Sequence, residues 1–165
     1  FNMAMLWRLP VVFLIENNQY AMGTSVERSS AGAHFFKGGA CYDIPGRQIN
    51  GMDVTEVFAA GQESVAHCRA GNGPIILEMM TYRYRGHSMS DPAKYRTREE
   101  VDRVRREQDP ISRLREELLA GGLSEADIKE VDRKVKETIN AAAEFAQDSP
   151  EPEPAELFRE VLVDT

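Results

Sequence analysis

Two polar clusters in this sequence carry side chains able to hold a metal cation and an anion side by side: Glu16-Asn17-Asn18-Gln19-Tyr20 and Tyr82-Arg83-Tyr84-Arg85-Gly86-His87-Ser88-Met89-Ser90-Asp91-Pro92. In the first, the amide oxygen of Asn18 and a nearby backbone carbonyl would face one crevice. Magnesium takes near-octahedral oxygen ligands and is usually held by one or two carboxylates with phosphate oxygens and water, so neutral donors can complete its set. In the second, His87 offers two ring nitrogens, and Arg83 and Arg85 stand close enough to help neutralise an anion. Together the clusters imply a phosphate-bearing ligand bound with a divalent metal. Each also has a plainer reading when taken alone. An Asn pair turns the chain after a strand, and a single His in a polar loop commonly faces solvent.

Such chemistry requires both clusters to stand at the same edge of a sheet, and the flanking residues supply that. Residues 11–15 are a continuous β-branched and aromatic run, which predicts a strand buried on both faces of a parallel sheet. Residues 19–49 show weak periodicity and many small residues, predicting a long excursion with short helical pieces. Helical spacing returns with Val54, Val57, Phe58, Gly61, Val65 and Cys68 on one face, Asp53 as N-cap and Glu56 at the reciprocal capping position. Gly71 to Pro74 ends that helix, and residues 75–84 read as a second strand. A strand, helix, strand unit winds right-handedly onto a parallel sheet, so the fold class is α/β. Ligands bind at the carboxyl ends of such strands. Tyr82 and Tyr84 would share one face of the second strand, as packing alone predicts.

The remainder reads as helices. Thr97 with Glu100 opens one, Asp109-Pro110 opens another, Gly121-Gly122 stops it, and Ser124 begins the longest. That last helix aligns Ile128, Val131, Val135, Ile139, Ala142 and Ala146 in one stripe. Three prolines between Ser149 and Pro154 make a stiff strap before a short amphipathic helix with Leu157, Phe158, Val161 and Leu162. The expected division is a ligand-binding part over residues 1–96 and a helical C-terminal extension over residues 97–165. The sequence starts at Phe1 on an apolar run that stops at Pro10, so it is read as beginning inside a domain.

Composition narrows the classes. A net charge of −7 in 165 residues, with the basic residues interspersed among acids, excludes a nucleic-acid surface. No apolar run approaches the ~20 residues that a membrane-spanning helix needs. Cys41 and Cys68 form neither a CxxC pair nor a soft-metal cluster, so a reducing compartment is expected. His34 and His67 lack partners at ligand spacing and are read as structural or solvent-facing. Met3, Met5, Met22, Met79 and Met80 are read as core filler, and only Met22, two residues past Tyr20, has a reason to be singled out.

Read together, the two clusters resemble the α subunits of the thiamine-diphosphate-dependent 2-oxo-acid dehydrogenases, most closely the pyruvate-decarboxylating (E1) branch with bacterial-like features. The resemblance continues through Ala21-Met22-Gly23-Thr24, Ile44-Pro45-Gly46, Gly51-Met52-Asp53-Val54 and Tyr95-Arg96-Thr97-Arg98-Glu99-Glu100, and so covers nearly the whole chain. It implies a parallel-sheet thiamine-diphosphate-binding fold with a helical C-terminal extension. It makes Asn18 a magnesium (Mg²⁺) ligand through its side-chain oxygen and Tyr20 one through its backbone carbonyl. The family's Gly-Asp-Gly, which carries the acidic partner, would lie before Phe1. Met22 would sit under the cofactor, and His87 would contact the diphosphate, order the loop over it and donate a proton near the acyl-transfer step. The implied assembly is α2β2 with an E1 β subunit, acting on pyruvate and passing the acetyl group to a lipoyl-bearing E2. The implied location is the bacterial cytoplasm, or the mitochondrial matrix for a eukaryotic source. One departure concerns regulation. Ser25 and Ser88 stand where mammalian relatives are phosphorylated, but the loop after Pro92 runs Ala93-Lys94-Tyr95, one residue shorter and without the additional serine, so kinase control is not expected.

Two alternatives stand beside this reading. A related α subunit acting on branched-chain 2-oxo acids or acetoin would share most of these residues, although Met89 and Pro92 favour pyruvate. A non-catalytic helical interaction module would account for the charged amphipathic C-terminal half.

Overall fold

The short apolar helix α1 (Asn2–Leu6) stops before Pro10, and Arg8 beyond it takes a left-handed φ of 49°. This computed structural model describes residues Phe1 to Arg159. The chain divides into two compact units, Phe1–Glu117 and Leu118–Thr165.

The first unit is built on a parallel three-stranded sheet in the order β1-β5-β4, formed by β1 (Val12–Asn17), β4 (Gly46–Asn50) and β5 (Ile75–Met80). The α/β class and the parallel sheet are as expected. The crossover is different, because helix α3 (Val54–Arg69) connects β4 to β5, and β4 lies inside the stretch read as an excursion. That strand is hard to read because Arg47, Gln48 and Asn50 are polar and only Ile49 is buried. Before β4 come a two-residue hairpin pair, β2 (Tyr20–Ala21) and β3 (Thr24–Ser25), one helical turn α2 (Val26–Ser29), and a 3₁₀ segment at Phe35–Tyr42.

The middle strand, β5, is covered on both faces. On one, Leu77 and Ile49 pack with Ala60 of α3, flanked by Val12, Val57 and Met79. On the other, the 3₁₀ segment presses so close that a Cβ on Gly39 would lie 2.5 Å from Cδ1 of Ile76. Helix α3 keeps part of the predicted stripe inward, with Cys68 buried and Val57 packed against the core, but not the rest. Ala60, Ser64 and Cys68 are buried, whereas Phe58 is 66% exposed and Val54 and Val65 are also exposed. Strand β1, at the sheet's border, leaves Leu14 60% exposed, so it is not buried on both faces as its composition suggested.

The caps behave as sequence chemistry requires, with one exception. Asp53 accepts from the N–H groups of Thr55 and Glu56, Thr97 accepts from Glu100 N–H, and Asp109 accepts from Ser112 N–H. Glu56 does not close a reciprocal box. Its carboxylate accepts instead from the N–H of Asn50 at 3.0 Å, tying α3 to the end of β4. Strand β5 stops at Met80, short of the predicted Tyr84, but the rings of Tyr82 and Tyr84 still adjoin with centroids 5.9 Å apart. Helix α4 (Arg98–Gln108) and helix α5 (Pro110–Ala120) follow.

The second unit is dominated by α6 (Glu125–Asp148), which opens on a reciprocal capping box between Ser124 and Asp127. Its apolar stripe is present but uncovered by the described residues, with Val131, Val135 and Ile139 all exposed. A 3₁₀ turn at Pro154–Phe158 stands where a short helix was predicted, and Val161 and Leu162 of that prediction lie outside the described residues. No helix among the described residues is long and apolar enough to cross a membrane.

Candidate functional site

Parallel pairing of β1 with β5 sets Asn17 opposite Met80, so both strands end at the same edge. The exits are also bonded to each other and to β4: Thr81 N–H donates to the carbonyl of Asn17 at 2.9 Å, and Gly51 N–H donates to that of Met80 at 2.9 Å. The two polar clusters therefore leave the sheet from adjacent positions.

The first cluster turns sharply. Asn17 is buried, and its Oδ1 accepts from Gln19 N–H at 3.2 Å and from Gln19 Nε2 at 3.0 Å. Asn18 Oδ1 accepts from Tyr20 N–H at 3.3 Å. These are two successive Asx turns, and the residue between them, Gln19, takes a left-handed φ of 71°. An open cleft of about 280 Å³ is bordered by Glu16, Asn18, Tyr20, Thr24 and Ser29. An amide oxygen has two lone pairs, and this bond to Tyr20 occupies one of them. Met22 also has positive φ, at 54°, and exposes its side chain rather than filling the core.

The second cluster is organised by Asp91, Tyr95 and Arg96. Asp91 accepts from His87 N–H at 2.7 Å, from Ala93 N–H at 2.8 Å and from the Tyr95 hydroxyl at 2.9 Å. The His87 N–H does most to hold the Asp91 carboxyl below the usual carboxylate range. Gly86 is required in this loop, since a Cβ there would lie 2.6 Å from the Asp91 carbonyl. His87 is exposed, its carbonyl accepts from Arg83 Nη2 at 3.1 Å, and its Nδ1 stands 3.4 Å from Arg83 Nη1. A guanidinium only donates, so Nδ1 is assigned as the acceptor and the ring proton of the neutral imidazole to Nε2. A cleft of about 700 Å³ runs along Arg83, Arg85, His87 and Ser88.

Arg96 joins the clusters. It is 8% exposed, and its guanidinium lies 5.2–5.3 Å from the ring centroids of Tyr20, Tyr82 and Tyr95. It donates to the carbonyl of Arg85 at 3.1 Å and to that of Arg83. Tyr20 and Tyr95 also stack with centroids 5.3 Å apart, and a Cβ on Gly23 would press on Tyr95 at 3.3 Å. The loop carrying Asn18 is thus clamped through Tyr20 to the loop carrying His87.

Sequence reading assigned Arg96 and Asp91 no role of their own, and their structural parts emerge only from the fold. A third unanticipated residue is Glu78, fully buried at 0% exposure in the centre of β5. A carboxylate inside an apolar strand run must find partners when buried, and that was the available signal. Of the remaining histidines, His34 tilts against Phe36 and His67 has a buried Nε2 with no hydrogen-bond partner among the described residues. Among the described residues no three His, Cys, Asp or Glu side chains gather into a metal cluster. The oxygen donors at the Asn18–Tyr20 turn are neutral, which fits an ion whose remaining positions are filled by phosphate and water.

A family model described as "Dehydrogenase E1 component" matches residues 1–155. The pyruvate dehydrogenase E1 component subunit alpha of Rhizobium meliloti is 54% identical over 164 residues, covering 99% of this chain and 47% of the relative. The same-named subunit of Zymomonas mobilis is 49% identical over 163 residues, covering 99% of this chain and 46% of the relative. The testis-specific mitochondrial form from Rattus norvegicus is 51% identical over 154 residues, covering 92% of this chain and 39% of the relative. The chain spans about half the length of the curated relatives it matches. With its parallel sheet and a family match along nearly its whole length, the chain belongs to the dehydrogenase E1 component family.

Proposed function

We propose that this chain is part of the α subunit of a pyruvate dehydrogenase E1 component and binds the diphosphate end of thiamine diphosphate with Mg²⁺. The observation that carries this reading is the parallel register that ends β1 and β5 side by side, with the Asn18 turn and the His87 loop clamped together by Arg96. Identity near 50% to subunits bearing that name supports pyruvate as the substrate.

Within this reading residues 1–96 form the ligand-binding part and residues 97–165 the helical extension. Asn18 offers its side-chain oxygen and Tyr20 its carbonyl to the cation, while Met22 supports the cofactor between its rings. The cofactor, when bound, supplies the thiazolium on which a 2-oxo acid loses carbon dioxide. His87 contacts the diphosphate and presents its Nε2 proton, with Nδ1 already turned to Arg83. Arg83 and Arg85 lower the cost of gathering phosphate charge beside the loop. The proposed assembly is α2β2 with an E1 β subunit, delivering the acetyl group to a lipoyl-bearing E2. Relatives are bacterial and mitochondrial, consistent with bacterial cytoplasm or mitochondrial matrix.

Calorimetric titration of the full-length α chain, assembled with its β partner, tests the site. Asn18→Ala is expected to weaken Mg²⁺-dependent thiamine diphosphate binding by tenfold or more, on the order of the loss for removing a ligand to a charged group, while the unfolding midpoint stays close to that of the parent. Equal loss of binding and stability would count against the assignment. The same assembly should prefer pyruvate over 3-methyl-2-oxobutanoate, and the reverse preference would move the substrate to the branched-chain acids.

A further inference from the structure

Strand β5 is the middle strand, and its alternation sends Ile76 and Glu78 toward the 3₁₀ segment while Leu77 faces α3. Glu78 therefore sits where an aliphatic side chain would pack with less desolvation. Both of its oxygens are used. Oε1 accepts from Asn17 Nδ2 at 2.8 Å, and Oε2 accepts from the backbone N–H of Phe36 at 3.1 Å. No arginine, lysine or histidine is among these hydrogen-bond partners.

The consequence falls on Asn17. An amide side chain can present its oxygen or its nitrogen to a given neighbour, and the two orientations are nearly equal in shape. Glu78 accepts only, so it draws Nδ2 of Asn17 to itself and leaves Oδ1 facing Gln19. That oxygen then takes both the N–H and the Nε2 of Gln19, which hold the left-handed backbone at Gln19. Gln19 leads directly into Tyr20, and its own carbonyl accepts from Val26 N–H at 3.0 Å, closing the hairpin behind it.

We infer that Glu78 is a positioning residue for the cofactor site: it fixes the amide orientation of Asn17 and thereby the turn that presents Asn18 and Tyr20. This inference rests on the proposed role of Asn18 and Tyr20 as the cation-binding turn. It is not implied by the need to fill space, because a glutamine has the same size and would not perform the same task. In Glu78→Gln, one end of the side chain must still accept from Phe36 N–H. The other end is then an NH₂ pointing at Asn17. Asn17 must either face it donor to donor or rotate and turn its own NH₂ against the two donors of Gln19. Either outcome releases the turn. The reciprocal exchange Asn17→Asp with Glu78→Gln restores every bond with the roles of donor and acceptor reversed across the pair, and it conserves net charge.

The test uses the full-length α chain assembled with its β partner, in three variants. Two readouts are taken: calorimetric affinity for thiamine diphosphate at saturating Mg²⁺, and amide hydrogen exchange over residues 16–22 in the cofactor-free assembly. Glu78→Gln is expected to weaken affinity about tenfold, the scale of one unsatisfied buried donor, and to speed exchange across the turn. Asn17→Asp with Glu78→Gln is expected to return both readouts to within about threefold of the parent. If Glu78→Gln leaves exchange and affinity unchanged, the inference is overturned. It is equally overturned if the double variant folds yet behaves like the single one. Should Glu78→Gln alone fail to fold, the double variant still decides, since it must fold and bind. Asn18→Ala separates the two levels. Unchanged affinity in Asn18→Ala removes the cofactor reading, while the exchange results continue to judge the coupling of Glu78 to the turn.

Discussion

Arg96 shows how much a single side chain can hold. It stacks on three tyrosine rings and caps two carbonyls of the loop that leads to His87, so its loss would free both loops at once. Arg96→Met keeps comparable length and apolar bulk but removes every donor and the cation–π contacts. It is expected to destabilise the protein by about 2–4 kcal/mol, measured by urea unfolding, and to open residues 83–96 to trypsin. Equal protease resistance in parent and variant would show that the loop is held by something else. At this scale the exit of the Asn18 and His87 clusters from one edge of the sheet was legible in the sequence, while the roles proposed for Asn18, Tyr20 and His87 come from the family resemblance, since an Asn pair alone reads as a turn. The parts played by Arg96 and Asp91 were not legible, because a charged residue is ordinarily solvated and only the fold reveals which ones are enclosed or bonded across a loop, and Glu78 carried only the weak signal of a carboxylate within an apolar strand.

At the scale of elements, legibility followed local chemistry. Caps at Asp53, Thr97, Asp109 and Ser124 are decided within three or four residues, and each was found where its side chain predicted. Strand β4 was missed because its pairing with β5 comes from backbone groups, to which Arg47, Gln48 and Asn50 contribute no recognisable side-chain pattern. The inward stripe of α3 was right at Val57 and Cys68 and misjudged elsewhere for a related reason. Small residues, Ala60 and Ser64, let the helix approach the sheet, and the larger Phe58 and Val65 were left outside. Asp53 also binds Arg113 at 2.8 Å, beyond its capping bonds. Asp53→Ala is expected to lower the unfolding midpoint chiefly through loss of the cap, with the ion pair to the half-exposed Arg113 adding less. Thermal unfolding checks this, and an unchanged midpoint would mean that α3 is fixed by packing and by the Glu56 bond to Asn50 alone.

For the whole molecule the ionisable groups define a pH window. Asp91, Asp109 and Asp53 lie below their ordinary value of 3.8, chiefly because backbone N–H groups or neighbouring hydroxyls donate to them. Depressed carboxyl values give stability that is present above pH 3.8 and is lost as pH falls through the folded values. Burial pushes Tyr82 up to about 12, and its hydrogen bond to Glu100 adds to the rise. Tyr84 and Tyr95 rise in the same direction, again chiefly by desolvation. Raised phenols give stability that is complete below pH 10 and is lost as pH climbs through the folded values, about 12 for Tyr82. Chemical unfolding followed across pH should therefore show a plateau with an acid and an alkaline fall. Tyr82→Phe should make the alkaline fall shallower and leave the acid limb in place; a parallel change in both limbs would refute the linkage.

The side-by-side endings of β1 and β5 act as a gauge. Inserting one residue into β5 would turn its inner face outward beyond the insertion. Inserting two would keep the faces but advance one exit by roughly 6.6 Å at ~3.3 Å per residue, farther than any hydrogen bond can stretch. Strand length here is consequently as much a part of how the two loops meet as any side chain, and natural variation in this family should accumulate in the turns before these strands rather than inside them.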